Sequence, residues 1–593
     1  MMYVSTPGAE TKDIPGQLPP DDVTDEVDLD EVANLALGYL KDLKVECLTQ
    51  TALWRDWLSL TGLPQTYCGN KAIFETWRKA VSHKEIQDLE IRSKRILRPC
   101  HGSSWVSVTL SFCTVQDNGL KGFHTANVGL IPESNDWRIW VVVTILESFE
   151  GQPHPDEPQM APSIHPALMP ESLDYAVTIV GGGQGGLALA GRLKALNIPC
   201  ILIEKGHSVG NAWTSKYDSV RQHTLREYNN LPFGRTWHKD DPELLPGRIV
   251  AGGFASYVEK YNIEVLTSSN ITSCTRDDSS KKWTLTIETQ PGASDVPQTR
   301  TIKSRHLAIA TGAGVGAPSM PTFKDQDRFT GTLIHQSSFQ NAKQMPLGSR
   351  AVVVGTGTTA HDIAQDLLNN SVDVTMIQRG PTPIYPMPWV AETQKYLWNL
   401  DIETGLADRM GSTAPVKVGC EIIRRNMKKW AQAEQYQDLF RRLEGRGFRI
   451  DRQSGMLDLI FQRYGGYYID VGTSKHIANG EIKVKSGVGV RRLTERGILF
   501  EDGEELQADL IVAATGYERD YRKQVGQVVG DDMACNLPQY WGLTIDGDVR
   551  GMMTEARPGL WMIGGTAPQA RWTSRFVALA MLLDLLGVNN TVV

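Results

Sequence analysis

The chain has 593 residues, room for about three or four domains at roughly 150 residues each. It is 41% hydrophobic and 22% charged, as globular proteins are, and its formal net charge of −7 gives no basis for nucleic acid or an anionic membrane surface as partner. The eight cysteines are scattered without a CxxC pair, which argues against a disulfide framework or a metal site and fits a reducing, cytoplasmic compartment.

Residues 1–28 are polar, acidic and proline-bearing, which predicts a disordered tail. Its first residues lack the basic region and apolar core of a secretory signal. From Leu29 a helical period appears (Leu29, Val32, Leu35, Leu37, Tyr39, Leu40, Leu43). A second helical stretch is read at Trp54, Trp57 and Leu58, and a third through Phe74, Trp77 and Val81. Strand-like runs follow at 106–112, 127–133 and 137–148. Helices followed by strands predict an α+β domain over 29–150. This order resembles the cone-shaped nuclear-transport-factor-2-like (NTF2-like) domains. That resemblance implies either a small-ligand pocket or a packing surface, including a homodimer through this domain. Pro153, Pro155, Pro158, Pro162, Pro166 and Pro170 then mark 151–171 as a stiff linker.

Beyond the linker come two glycine-rich cradles whose first glycines lie 174 residues apart. The first is an apolar strand ending at Val180, then Gly181-x-Gly183-x-x-Gly186, a helical pattern and a second strand ending at Glu204. The other is a strand ending at Val354, then Gly355-x-Gly357-x-x-Ala360, a helix and a strand ending at Gln378-Arg379. In both, glycines let the backbone turn tightly and approach a pyrophosphate on a helix N-terminus. Glu204, 23 residues past its first glycine, stands where a carboxylate can hold a ribose 2′-hydroxyl. Arg379, 24 past its own, stands where a cation can accept a 2′-phosphate. One unphosphorylated and one phosphorylated dinucleotide point to FAD plus NADPH.

Each cradle is followed by short strand-like runs and an Ala-Thr-Gly turn, Ala310-Thr311-Gly312 and Ala514-Thr515-Gly516. The fold class is therefore α/β, two nested Rossmann-type domains after the smaller α+β domain. The FAD domain is expected at 172–325 and 505–593, with the NADPH domain at 326–504. Within the latter, 380–466 reads as a helical insert rich in Trp, Tyr and Met. With Tyr540-Trp541 it is placed over an apolar, aromatic substrate. The apolar run 576–588, too short to span a bilayer, reads as a buried terminal helix.

Phe329-x-Gly331-x-x-x-His335-x-x-x-Phe339, between the two domains, resembles the fingerprint of the flavin-containing monooxygenases. Phe339 stands where the related Baeyer–Villiger enzymes have Trp, while Gln340 and Gln344 depart from the usual pattern. His335 is read as a hinge or packing residue. Gly210-x-x-Trp213, and Gly564-Gly565 followed by Arg571 and Arg575, resemble flavin-lining segments of that family. The resemblance covers about 172–593. It implies NADPH-dependent reduction of FAD, a flavin C4a-hydroperoxide formed with O₂, and transfer of one oxygen atom to a small organic substrate. N- or S-oxygenation leads. Baeyer–Villiger insertion and YUCCA-like oxidative decarboxylation of a 2-oxo acid stay open, as does a non-catalytic FAD-binding protein. His223 matches the histidine of the plant YUCCA-like group and is the candidate catalytic residue, since a neutral imidazole can hydrogen-bond a reacting oxygen near pH 7. No redox cysteine pair follows the first cradle, which argues against a disulfide reductase.

Overall fold

A computed structural model describes residues 8–116, 119–134, 136–158, 172–290, 297–312, 316–551 and 555–588. The N-terminal domain is a six-stranded sheet in the order Pro64–Cys68, Leu48–Trp57, Asp136–Phe149, Lys121–Glu133, Ser103–Gln116, Lys84–Cys100. Helices Leu29–Lys41 and Asn70–Val81 cover one face, where Val32, Ala36, Ile73 and Trp77 meet Trp54, Val108 and Val142. The opposite face, with Trp57, Trp105, Trp140 and Val143, joins the core around the C-terminal helix. Trp57 stacks on Phe576 at 5.1 Å, meets Trp572 edge-on at 5.6 Å, and donates its indole N–H to Thr413 O at 3.1 Å. The sheet is thus sandwiched between its own helices and the rest of the chain.

Two expectations are corrected here. The stretch around Trp54 and Trp57 is a strand, paired on one side with Pro64–Cys68 and on the other with Asp136–Phe149. Because both faces of that strand are buried, its apolar residues need not alternate, and their spacing imitates a helix. Residues 8–28 are no loose tail. Ile14, Leu18 and Val23 are buried, Ala9 N donates to Leu543 O at 3.0 Å, and Trp140 Nε1 donates to Gln17 O at 3.0 Å. A largely polar segment can still order when three apolar side chains and its backbone groups all find partners. The start of the proline-rich linker is also pinned, with Arg192 Nη1 donating to Pro155 O at 2.8 Å; Pro162, Pro166 and Pro170 lie outside the described residues.

The two cradle domains share one plan. In the first, the parallel strands run in the order Leu560–Met562, Gln298–Ile309, Ser172–Val180, Cys200–Ile203, Val265–Leu266. In the second they run Thr332–His335, Leu510–Ala513, Arg350–Val354, Asp373–Gln378, Ile482–Ser486. The expected return to the first domain at 505 is therefore too early. Strand Leu510–Ala513 pairs on both sides within the second sheet, and the chain rejoins the first sheet with the antiparallel pair Glu555–Arg557 and Leu560–Met562. Five helices, Met387–Lys395, Thr404–Ser412, Val416–Ala431, Glu434–Gly445 and Met456–Arg463, form the insert. The C-terminal helix Ala567–Leu585 is buried on nearly all sides.

Candidate active site

Ligands of open parallel sheets sit at the carboxyl ends of the strands. Both cradles occupy that position, and they match in detail. Gly181 has φ +111°, its N–H donates to Ile203 O at 2.8 Å, and an added Cβ would lie 2.6 Å from Ala310 O. Gly355 has φ +124°, its N–H donates to Ile377 O at 2.9 Å, and a Cβ would lie 2.5 Å from Ala514 O. Each first glycine is thus required by the Ala-Thr-Gly turn packed against it. Gly183 and Gly357 are the N-caps of helices Gln184–Ala195 and Thr358–Asn369, and neither supplies a side-chain cap. A Cβ on Gly183 would meet nothing within 4 Å, so the space over that helix end is open. Uncapped N–H groups at an open helix N-terminus suit a pyrophosphate. Gly186 is needed for packing, since its Cβ would fall 2.0 Å from Gly181 O; Ala360 fills the same position in the second cradle and is buried there.

The ribose positions differ as their chemistry demands. Glu204 accepts from Gly182 N and Gly206 N, both at 2.6 Å, which fixes its carboxylate across the cradle. Two of roughly four lone-pair sites remain for a ribose hydroxyl. Gln378 is buried and bound to both backbone groups of Arg449, so the chain leaves the sheet with Arg379 exposed and without an ion pair among the described residues.

Gly564 and Gly565 stand over the first cradle helix. Gln184 Nε2 donates to Gly565 O at 2.8 Å, and a Cβ on Gly185 would lie 3.6 Å from Gly564 Cα. Thr311 Oγ1 lies 3.3 Å from Tyr521 Oη, beside Gly312 at φ +83°. The structure therefore gathers Gly181, Gly183, Glu204, Thr311, Gly312, Gly564 and Gly565 around one strand end. Buried polar atoms without a partner among the described residues cluster nearby: Tyr540 Oη, 3.0 Å from a Cβ on Gly564, and Gln524 Nε2, on the side chain beside Thr311. Orphaned groups of this kind fit a polar ligand. Burial pushes the Tyr540 phenol well above its ordinary range, so it stays a neutral donor.

The second set behaves differently. Gly355, Gly357 and Arg379 lie around the second cradle. Thr515 Oγ1 donates to Ser319 O at 2.6 Å, and Gly516 O receives Nε2 of His335 at 2.9 Å. His335 Nδ1 accepts from Ser337 N, which makes it a neutral tie between the interdomain loop and the turn. Trp213, half-buried under Lys216 at 4.9 Å, packs against the cores of both halves. Arg571 and Arg575 serve the scaffold. Arg571 makes a two-pronged pair with Asp408 at 2.6 and 2.7 Å, and Arg575 binds Asp156, Glu147 and Leu146 O.

His223 is set against the second cradle helix. Its Nε2 lies 3.1 Å from Asp362 Oδ1, off the line of a regular hydrogen bond, and its Nδ1 has no partner among the described residues. Asp362 also accepts from Tyr217 Oη at 2.7 Å, and burial, then that carboxylate, push the phenol up. Next to it His361 donates to Gly357 O at 3.0 Å, stacks on Tyr468 at 3.7 Å, and is held down to about 4 by burial. Asp362, His361, Tyr468, Gln184 and Gln524 do not stand out in the sequence as site residues, while Tyr217 falls in the stretch Lys216-Tyr217-Asp218-Ser219 that resembles a flavin-lining segment. Of the former, only Asp362, an acidic residue five past Gly357 on the face that opens the helix, left a readable signal.

Of the insert's aromatics, Trp389 and Phe440 are packed in the second core and Tyr385 in a smaller one, while Tyr396 is exposed. Trp398 meets Tyr228 edge-on at 4.9 Å. Among the described residues no helix is long and apolar enough to cross a membrane.

A pyridine nucleotide-disulphide oxidoreductase domain matches residues 175–414. The probable indole-3-pyruvate monooxygenase YUCCA10 of Arabidopsis thaliana is 26% identical over 348 residues, covering 58% of this chain and 82% of that protein. The FAD-binding monooxygenase VdtE of Byssochlamys spectabilis is 27% identical over 259 residues, covering 42% and 44%. Among solved structures, ε-caprolactone-bound cyclohexanone monooxygenase aligns over 70% of this chain and 89% of its own, at 15% identity and TM-score 0.49. The flavin-containing monooxygenase of Stenotrophomonas maltophilia aligns over 70% and 99%, at 14% identity and TM-score 0.46.

Proposed function

We propose that this chain, a homologue of the flavin-dependent monooxygenases, is an FAD- and NADPH-dependent oxidoreductase that places one oxygen atom from O₂ into a small organic substrate. One observation carries the reading. Two cradles of the same build end in opposite ribose chemistry, a fixed carboxylate at Glu204 and, among the described residues, an unpaired cation at Arg379. In this reading Gly181, Gly183, Glu204, Thr311, Gly312, Gly564 and Gly565 hold FAD, with Trp213 at the seam. Gly355, Gly357 and Arg379 hold NADPH, and Thr515 and Gly516 shape the turn beneath it. Bound FAD supplies the redox step between NADPH and O₂. The protein's share is orientation, a dry wall and placed hydrogen bonds. Tyr540 Oη is a neutral donor beside Gly564, and His223 offers Nδ1 at the seam between the halves.

N- or S-oxygenation of an apolar or aromatic substrate is the leading chemistry. Oxidative decarboxylation of a 2-oxo acid is the second reading. His223 favours it, as do relatives named for indole-3-pyruvate. The test is a purified holoprotein reduced anaerobically with NADPH or NADH, then mixed with O₂ and an aryl sulfide, an alkylamine, a cyclic ketone or an arylpyruvate. Rapid bleaching of bound flavin by NADPH and mass-identified product from one substrate support the reading. A protein that purifies without flavin, or whose flavin NADPH leaves oxidised, overturns it.

A further inference from the structure

Tyr217, His223 and Asp362 form a buried polar chain that crosses the seam between the two cradle domains. Tyr217 and His223 belong to a loop of the first domain, yet Tyr217 and Val220 pack in the hydrophobic core of the second. The loop is fastened on both sides. Gln222 N donates to Leu245 O and Gly247 N to Val220 O, within the first domain. Asp218 N donates to Gln340 O at 2.9 Å, Lys343 Nζ to Asp218 Oδ2 at 2.6 Å, and Leu225 N to Gln394 Oε1 at 2.8 Å, across the seam. Asp362 stands on the helix that opens the second cradle, five residues past Gly357. The three side chains are nearly inaccessible, so solvent does not compensate for a lost partner.

We propose that Asp362, held by Tyr217, is a positioning residue that sets the orientation and tautomer of His223, coupling the imidazole to the helix of the second cradle. A carboxylate accepts and does not donate, so the ring nitrogen 3.1 Å from it carries the proton. Nδ1 is then left with its lone pair free; among the described residues neither ring nitrogen has a partner of regular hydrogen-bond geometry, and a small turn of the ring brings Nε2–H onto Asp362 Oδ1. Tyr217 Oη occupies Asp362 Oδ2 and leaves Oδ1 to the histidine. The other charged or titratable groups around the chain include Lys216, His361, Tyr468, Tyr517 and Asp470, whose carboxylate accepts from Gly472 N and Ser474 N. Burial lowers the lysine and keeps His361 neutral, and Tyr468 Oη is occupied as acceptor for Val471 N and Thr473 N. None of these replaces Asp362 as the acceptor facing His223.

The kinetic arm of the test rests on the monooxygenase reading; the spectroscopic arm does not. Histidine labelled with ¹⁵N in the holoprotein reports the tautomer directly. The His223 signal, assigned by its loss in His223→Gln, is expected as Nε2–H in the wild type and as a tautomer mixture in Asp362→Asn. In turnover with the substrate found active, Asp362→Asn is expected to lower kcat by about tenfold, with the KM for NADPH held within about twofold. Asp362→Glu should recover part of the loss. The double variant Asp362→Asn/His223→Gln should be no slower than His223→Gln alone, since both changes remove one arrangement. Tyr217→Phe removes only the outer bond and should act in the same direction, which keeps the test open if Asp362→Asn does not fold. Additive losses, an unchanged tautomer in Asp362→Asn, or a rise in the KM for NADPH equal to the fall in kcat would each overturn the proposal. If the wild type is not reduced by NADPH, the monooxygenase reading fails while the tautomer still decides the role of Asp362.

Discussion

Arg379 offers the sharpest test of the second cradle. Its side chain is exposed and lacks an ion pair among the described residues, while its neighbour Gln378 is buried and tied to Arg449 N and O. Replacing Arg379 by Ala therefore removes a charge without disturbing the strand end. A guanidinium on a 2′-phosphate makes one or two charge-assisted hydrogen bonds, worth about 1.5–3 kcal/mol in total at a solvent-facing site. Since about 1.4 kcal/mol is tenfold, Arg379→Ala should lower kcat/KM for NADPH by about 10–100-fold. NADH, which lacks the phosphate, should change by less than about twofold. Arg379→Glu adds repulsion and should widen the loss for NADPH only. Raising ionic strength should narrow the wild-type preference, because the contact faces water. Initial rates of flavin reduction with each nucleotide, across salt, measure all of this. An equal fall with NADPH and NADH, or an unchanged preference, would refute the assignment of Arg379 to the phosphate.

Two further outcomes follow from buried groups in the scaffold. Burial holds His124 down to about 3 and His361 to about 4, so both stay neutral in the fold while the unfolded chain takes up protons below about pH 6.5. Their stabilising contribution is complete above that pH and is lost as pH falls towards 4. The cost is up to about 1.4 kcal/mol per histidine for each pH unit. Denaturant midpoints from pH 7 to 5 should fall accordingly, and His124→Gln should flatten the slope; an unchanged midpoint contradicts the burial argument. Trp57→Ala removes the ring wedged on Phe576 and Trp572 and the bond to Thr413 O, at a cost of about 3–5 kcal/mol. Calorimetry should show the flavin-bound body melting earlier along with the N-terminal sheet. A body whose transition does not move would mean that the N-terminal domain is an independent module.

What the sequence made legible was local in character. A glycine turn, the apolar strand before it and a ribose residue at fixed distance lie within about thirty residues, and the physics that selects them acts over that range. The structure places Gly181, Gly183 and Glu204 together, and sets Gly355 against the end of the strand that leads, two residues on, to Arg379. Long-range partners were hidden. Asp362 meets Tyr217 across 145 residues, and Arg575 meets Glu147 across 428. The same blindness explains the two misreadings at the N-terminus. Trp54 and Trp57 lie on a strand covered on both faces, so no alternation betrays it. Residues 8–28 order against Leu543, Trp140 and Ser104, which lie far off in the chain.

The strand orders also explain physically why a histidine motif stands between the domains. In the first sheet the outermost parallel strand, Leu560–Met562, lies beside the strand that ends in Ile309. In the second, Thr332–His335 takes the same place beside the strand that ends in Ala513. The Phe-x-Gly-x-x-x-His segment is therefore the counterpart of the segment ending in Gly564-Gly565, and it does a related job at its own turn. Gly331 is needed because a Cβ there would lie 2.6 Å from Asp509 O, at the foot of the neighbouring strand. His335 closes the top by binding Gly516 O, while Phe339 anchors the exit in the second core. One end fixes the strand's approach and the other fixes the turn under the second cradle. Burial lowers the imidazole, Ser337 N occupies Nδ1 and the Nε2 proton is held on Gly516 O, so His335 stays a neutral structural tie. Its loss should loosen the turn at Gly516, and through it the second dinucleotide site, before it touches any chemical step.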